Sequence, residues 1–149
     1  MAAISVVIAD RRSAGRAACR SLLDPEKGIR VVGEARSGLD AATAAEKLKP
    51  SILLLDLDLS DRGDQATLLP VIRRRSPSTR VLLLTERGRD ARTIEALCHG
   101  ARGYVEKRTL RVYLCKAVRA VDAGEAWVPR KMVAKLMDRL ARVTRSSPV

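Results

Sequence analysis

Apolar residues fall in five short runs, Val6 to Ala9, Arg30 to Val32, Ile52 to Leu55, Val81 to Leu84 and Gly103 to Val105. Each is followed by a longer stretch with the three-to-four-residue period of a helix. Ile52-Leu53-Leu54-Leu55 and Val81-Leu82-Leu83-Leu84 are apolar at successive positions, as strands of a parallel sheet covered on both faces must be. The intervening periodicity predicts a helix from Ser13, taken as its cap, to about Leu23, one from Ser37 to Leu48 ahead of Pro50, and one from Asp90 to His99 that stops at Gly100. Leu110, Tyr113, Leu114, Ala117, Val118 and Val121 form a single apolar stripe on a further helix, closed by Gly124.

Two segments complicate this alternation. Pro70 lies where the third helix should be, and an interior proline costs about 3 kcal/mol in lost hydrogen bonding and a clash. That helix is therefore expected to start near Leu69 or to kink there. After the last strand–helix unit, Met132, Val133, Leu136, Met137, Leu140 and Val143 keep helical spacing and predict a sixth helix. The expected organisation is one unit over residues 1–128, a linker or dimerisation helix over 129–143, and a disordered tail over 144–149. Strand and helix alternate, so the fold class is α/β, a doubly wound five-stranded parallel sheet. The connection rules give it the strand order 2-1-3-4-5.

Composition narrows the class. A chain of 149 residues suits about one domain, and its apolar content is almost wholly aliphatic: there is no Phe, and Trp127, Tyr104 and Tyr113 are the only aromatics. No apolar run nears the roughly 20 residues that span a bilayer, so no membrane role and a cytoplasmic location are expected. Cys19, Cys98 and Cys115 are odd in number and set in apolar helical patterns, which reads as small hydrophobes in a reducing compartment. The net charge of +12 favours acidic partners. With so few aromatics to stack on bases, it is better read as a basic surface than as a nucleic-acid footprint.

In an open doubly wound sheet the ligand site lies outside the carboxyl ends of the strands. The polar residues there are Asp10 and Arg11 after the first strand, Asp56 after the third, Thr85 after the fourth and Lys107 after the fifth. A dinucleotide site would need a glycine-rich turn where this chain has Ala9-Asp10-Arg11-Arg12-Ser13-Ala14-Gly15. A serine or cysteine hydrolase would need a histidine base, and the one histidine, His99, sits at a helix end. An aspartyl-phosphate hydrolase lacks a further catalytic group, so an enzyme is not expected. Singly, Asp56 could be a strand-end cap, Lys107 a surface lysine and Tyr104 a core aromatic.

Together, Asp10, Asp56 after Ile52-Leu53-Leu54-Leu55, Thr85 after Val81 to Leu84, and Lys107 within Gly100-Ala101-Arg102-Gly103-Tyr104-Val105-Glu106-Lys107 resemble the receiver domain of two-component response regulators. The stretch Ala117 to Trp127 further resembles the NarL/FixJ (LuxR-type) branch, whose receivers usually precede a helix-turn-helix DNA-binding domain. The resemblance implies a flavodoxin-like (βα)5 fold with an extra C-terminal helix. It implies phosphorelay signalling, with Asp56 accepting a phosphoryl group from a histidine kinase, Lys107 pairing with its oxygens, and Thr85 and Tyr104 acting as the switch. A homodimer is expected, and DNA contact only through an output domain not present in this chain.

The sequence departs from that pattern around the site. The family usually places two adjacent acidic residues after the first strand to hold Mg²⁺ together with the phosphoacceptor, and here Asp10 is followed by Arg11. At an effective dielectric of 20 a unit charge about 4 Å away is worth roughly 4 kcal/mol, so Mg²⁺ on Asp10 and Asp56 should be weakened severely. Ser60 replaces a usual proline, Asp61 to Asp64 a usual glycine-containing turn, and Glu86 a usual small residue after Thr85. Arg11, if its guanidinium reaches Asp56, would stand in for the metal. The alternative to a phosphoryl-accepting receiver is a phosphorylation-independent pseudo-receiver acting through protein contacts, which Arg11 and Glu86 support.

Overall fold

The structure, a computed structural model, describes residues 2–59, 65–87 and 89–146. Five parallel strands, β1 (Ile4–Ala9), β2 (Ile29–Ala35), β3 (Ile52–Asp56), β4 (Arg80–Thr85) and β5 (Gly103–Glu106), lie in the order β2-β1-β3-β4-β5. They alternate with α1 (Ser13–Leu23), α2 (Gly38–Leu48), α3 (Gln65–Arg75), α4 (Asp90–Cys98) and α5 (Leu110–Asp122), and α6 (Arg130–Ser146) follows. The expected fold class and strand order are what the chain adopts.

The pleat sorts the aliphatic residues between two layers, because successive side chains leave a strand on opposite faces. Val7, Ala9, Leu53, Leu55, Val81, Leu83 and Tyr104 face α2, α3 and α4, whereas Val6, Ile8, Ile52, Leu54, Leu82, Leu84 and Val105 face α1 and α5. The inner strands β1, β3 and β4 are therefore apolar at every position in the middle of the sheet, which removes their end groups Asp10, Asp56 and Thr85 from water as well.

Several local expectations are corrected. Arg12, not Ser13, occupies the cap position of α1, and no side chain caps that end; Ser13 is the first helical residue. Ser37 does cap α2, its hydroxyl accepting from the Asp40 amide at 3.1 Å. Helix α3 does not start near Leu69 but spans Gln65–Arg75 and runs through Pro70, so of the two expectations the late start is overturned. The packing of Leu69 and Ile72 into the core holds it there, outweighing the lost hydrogen bond. Ser60 and Asp61 to Asp64 lie outside the described residues.

Helix α6 does not stand off as a linker. Met132 is 1% exposed and belongs to the same apolar cluster as Tyr104 and Leu97, with Leu136 packed against it. Three ion pairs line the seam: Lys131 to Glu106 at 3.4 Å, Lys135 to Asp90 at 3.1 Å and Arg139 to Glu95 at 2.7 Å. Such exposed pairs contribute about 0 to 1 kcal/mol each, so Met132 supplies most of the docking and the pairs set its register. The helix also continues past Val143 to Ser146, taking in Thr144 to Ser146 of the expected tail. None of the described helices is long and apolar enough to cross a membrane.

Candidate functional site

Asp10, Asp56, Thr85 and Lys107 all reach the carboxyl edge of the sheet, three of them directly after or at the end of adjacent strands β1, β3 and β4. Asp10 and Asp56 are 1% and 4% exposed. Isolated carboxylates would not tolerate that burial, so their partners decide the chemistry. Lys107 Nζ donates to Asp56 Oδ2 at 2.9 Å, while Asp56 Oδ1 accepts from the Asp58 amide at 3.0 Å. Asp10 Oδ1 accepts from the Arg12 amide at 2.8 Å.

Burial, followed by the negative charge of Asp56, raises the Asp10 carboxyl above the usual range, with the Arg12 amide and Lys107 opposing. Lys107 is held above the ordinary lysine value: burial favours its neutral form, but Asp56, Asp10 and Glu86 outweigh that cost. Glu86 Oε1 stands 3.7 Å from the ammonium, a looser second partner.

The close approach of Asp10 to α1 needs Gly15. A Cβ at that position would sit 2.0 Å from Asp10 Oδ2, inside van der Waals contact. The glycine in the first turn of α1 thus gives room to the Asp10 carboxylate.

These groups line one crevice of about 320 Å³, walled by Asp10, Asp56, Asp58 and Glu86 and by Arg11, Arg12, Arg89, Arg92 and Lys107. Four carboxylates face five cations. Arg11 is exposed and lines the mouth, and Lys107 is bonded to Asp56. Thr85 is buried at the end of β4, and its neighbour Tyr104 is buried as well, its hydroxyl pushed up to about 12 by desolvation and then by Glu106 and Asp90. Among the described residues no three His, Cys, Asp or Glu side chains gather so as to hold a metal ion. His99 is the C-cap of α4 and bonds Glu95 at 3.2 Å, far from this edge of the sheet. Cys19 is buried, its thiol pushed up to about 12 by desolvation.

Sequence reading missed the cations from α4. Arg92 Nη1 meets Asp58 Oδ1 at 2.6 Å and its Nη2 donates to the Leu57 carbonyl at 2.8 Å, with Arg89 Nε 3.5 Å from the same carboxylate. The available signal was two arginines three apart at the start of a helix that follows a site strand. Periodicity reports which face is apolar, not how far a guanidinium reaches.

Comparison with known proteins adds an independent line. Residues 6–119 match the family model described as the response regulator receiver domain. The response regulator protein VraR of Staphylococcus epidermidis is 33% identical over 141 residues, covering 94% of this chain and 66% of that protein. The isolated receiver domain of RcsB from Salmonella enterica serovar Typhimurium superposes with a TM-score of 0.78 at 28% identity, covering 91% of this chain and 98% of the other. RcsB is also described as two dimers bound to two parallel DNAs, a structure that matches with a TM-score of 0.77 at 27% identity over 91% of this chain and 68% of that one. The receiver of the NarL response regulator from Mycobacterium tuberculosis gives 0.77 at 29% identity over 84% of this chain and all of the other. This chain thus spans just under two thirds of the length of the curated relatives it matches.

Proposed function

The chain belongs to the response regulator receiver domain family, a signalling family of two-component systems, and on that premise we propose that Asp56 is its phosphoryl acceptor and that side-chain cations, not a metal, neutralise the transferred group. The observation that carries this reading is the 2.9 Å bond from Lys107 to a buried Asp56, set among arginines at the strand ends. Mg²⁺ asks for near-octahedral oxygen coordination. The crevice offers four carboxylates, of which Asp56 is bonded to Lys107, Asp58 is engaged by Arg89 and Arg92, and Glu86 lies 3.7 Å from the Lys107 ammonium. That donor set does not fit the ion, and Arg11 occupies the position where a further acidic ligand would be needed.

In this mechanism Asp56 attacks the phosphorus of a phosphohistidine on a kinase. The new O–P bond forms as the P–N bond breaks, and the imidazole takes up a proton. Transfer of this kind rests on positioning and charge neutralisation. Lys107 holds one side of the acyl phosphate. The planar, permanently charged guanidinium of Arg11 supplies a two-pronged contact on the other, and Thr85 donates its hydroxyl. The proposal includes a histidine kinase as phosphodonor, in keeping with the receiver family, and a DNA-binding output domain with transcriptional control, in keeping with the RcsB dimers described as bound to DNA. A homodimer is supported by the RcsB dimers and by Val133, Met137, Leu140 and Val143, an exposed apolar stripe at near-heptad spacing along α6.

Labelling by acetyl phosphate, with and without EDTA, tests the proposal. The natural chain should label slowly and at an EDTA-independent rate, with Mg²⁺ binding too weak to saturate. Arg11→Asp should bind Mg²⁺ and label about tenfold faster or more, as expected from exchanging repulsion for attraction. Tight Mg²⁺ binding by the natural chain, or labelling abolished by EDTA, would overturn it. The pseudo-receiver reading, favoured by Glu86 at the mouth, would gain if neither a phosphodonor nor a cognate kinase labels Asp56 in either protein.

A further inference from the structure

The three aromatic residues of this chain all line one cavity, away from Asp56. The backbone puts them there. Tyr104 lies on β5 and Tyr113 on the first turns of α5. Trp127 is drawn onto β5 by a short bridge to Gly103, in which the Tyr104 amide donates to the Trp127 carbonyl and the Trp127 amide to the Arg102 carbonyl, both at 3.0 Å. Gly103 permits that approach, since a Cβ there would meet the Trp127 carbonyl oxygen at 2.3 Å. The indole and the Tyr113 ring then stand 6.1 Å apart at a 51° tilt.

The cavity has a volume of about 440 Å³ and walls that are mainly apolar, within the range of small-molecule sites, which combine hydrophobic lining with a few placed polar groups. The charged groups are Glu106, Arg108 and Lys131. Arg108 and Lys131 both converge on Glu106, at 2.7 and 3.4 Å, so two cations share one carboxylate at the rim. That carboxyl is accordingly held below its usual range by the two cations, against its own burial. One positive charge is left over beside two aromatic rings.

We propose that this cavity binds a small planar aromatic molecule carrying an anionic group, stacked on Tyr113 and Trp127 with its charge toward Arg108 and Lys131. Aromatic faces select a flat ring, and the excess cation selects a carboxylate or similar anion over a neutral or basic substituent. The occupant would touch β5 and the start of α6 together, giving the receiver a chemical input that does not pass through Asp56. The proposal is thus independent of the phosphoryl-acceptor reading.

The single indole N–H of Trp127 provides the readout in a ¹H–¹⁵N spectrum of the whole chain. With 2-naphthoate as probe it should shift saturably, with a Kd of about 1 mM or tighter for a ligand of this size. The neutral analogue 2-naphthylmethanol should bind more weakly. Tyr113→Ala, a change at an exposed position, should weaken naphthoate by about threefold to tenfold. Arg108→Ala should leave the alcohol unaffected and erase the preference for the acid, while Asp56→Asn should change neither. Absence of a saturable shift, equal binding by Tyr113→Ala, or equal affinity for acid and alcohol would overturn the proposal. So would an indole shift that tracks protein dilution, which would assign the cavity to contact between copies of the chain.

Discussion

Exchanging Lys107 for Met removes the ammonium bonded to the buried Asp56 while keeping most of the side chain's length. At 2.9 Å and an effective dielectric of 20, the two charges attract by about 6 kcal/mol before desolvation is counted. Most of that returns as the cost of taking both groups from water, and Lys107 is still 28% exposed. The net coupling expected from a double-mutant cycle with Asp56→Asn is therefore about 1 to 3 kcal/mol. Lys107→Met alone should be the most destabilised of the three variants, because it leaves Asp10 and Asp56 facing each other without their shared cation. The double variant should recover much of the loss. Lys107 is held above the ordinary lysine value, so its contribution is fully present below that value and fades only as pH rises through it; urea denaturation at pH 7.5 and low salt samples it whole. A coupling below about 0.3 kcal/mol would refute the view that this pair organises the crevice.

Three further outcomes follow from the geometry. Asp10 is raised above the usual carboxyl range, so the folded chain holds that proton more firmly than the unfolded one, and stability falls as pH rises from the ordinary carboxyl value through the raised one. Asp10→Asn lacks this dependence: its melting temperature relative to the natural chain should climb across that window and then level off, and a constant difference from pH 3.5 to 8 would contradict the assignment. Gly103→Ala should push Trp127 off β5, costing about 1 to 3 kcal/mol for two hydrogen bonds and red-shifting the indole emission; an unchanged spectrum would show that the bridge is not what holds the ring. Met137→Asp, on the exposed stripe of α6, should lower dimer affinity in sedimentation by tenfold or more if that stripe is the seam, and an unaltered profile would remove α6 from the interface.

Much of this arrangement was legible in the chain. Runs such as Leu53-Leu54-Leu55 can only be buried on both faces, and that fixes parallel strands, flanking helices and a crevice at the strand ends, which Asp10, Asp56 and Lys107 line while Thr85 lies buried at the end of β4. What escaped was tertiary in origin. Pro70 is tolerated because Leu69 and Ile72 on either side are core residues, and propensity carries no information about that. The apolar stripe of α6 is broad enough to serve either docking or association, and only the contacts reveal that Met132 faces inward while Val133 and Met137 face out. Arg89 and Arg92 join the crevice through long side chains whose reach no spacing rule encodes.

Helix α4 is gripped from two sides: its arginines hold Asp58 at the crevice, and its acids Asp90 and Glu95 hold α6. It is a short rod with opposite charge on its two working faces. An anion entering the crevice competes with Asp58 for Arg92, and whatever free energy that rearrangement adds to or takes from the α6 seam must be returned in full at the crevice. Coupling between two sites is reciprocal, so to the extent that an anion in the crevice disturbs the α6 seam, a substitution at Lys135 or Arg139, which touch nothing near Asp56, changes anion affinity in the crevice by the same factor.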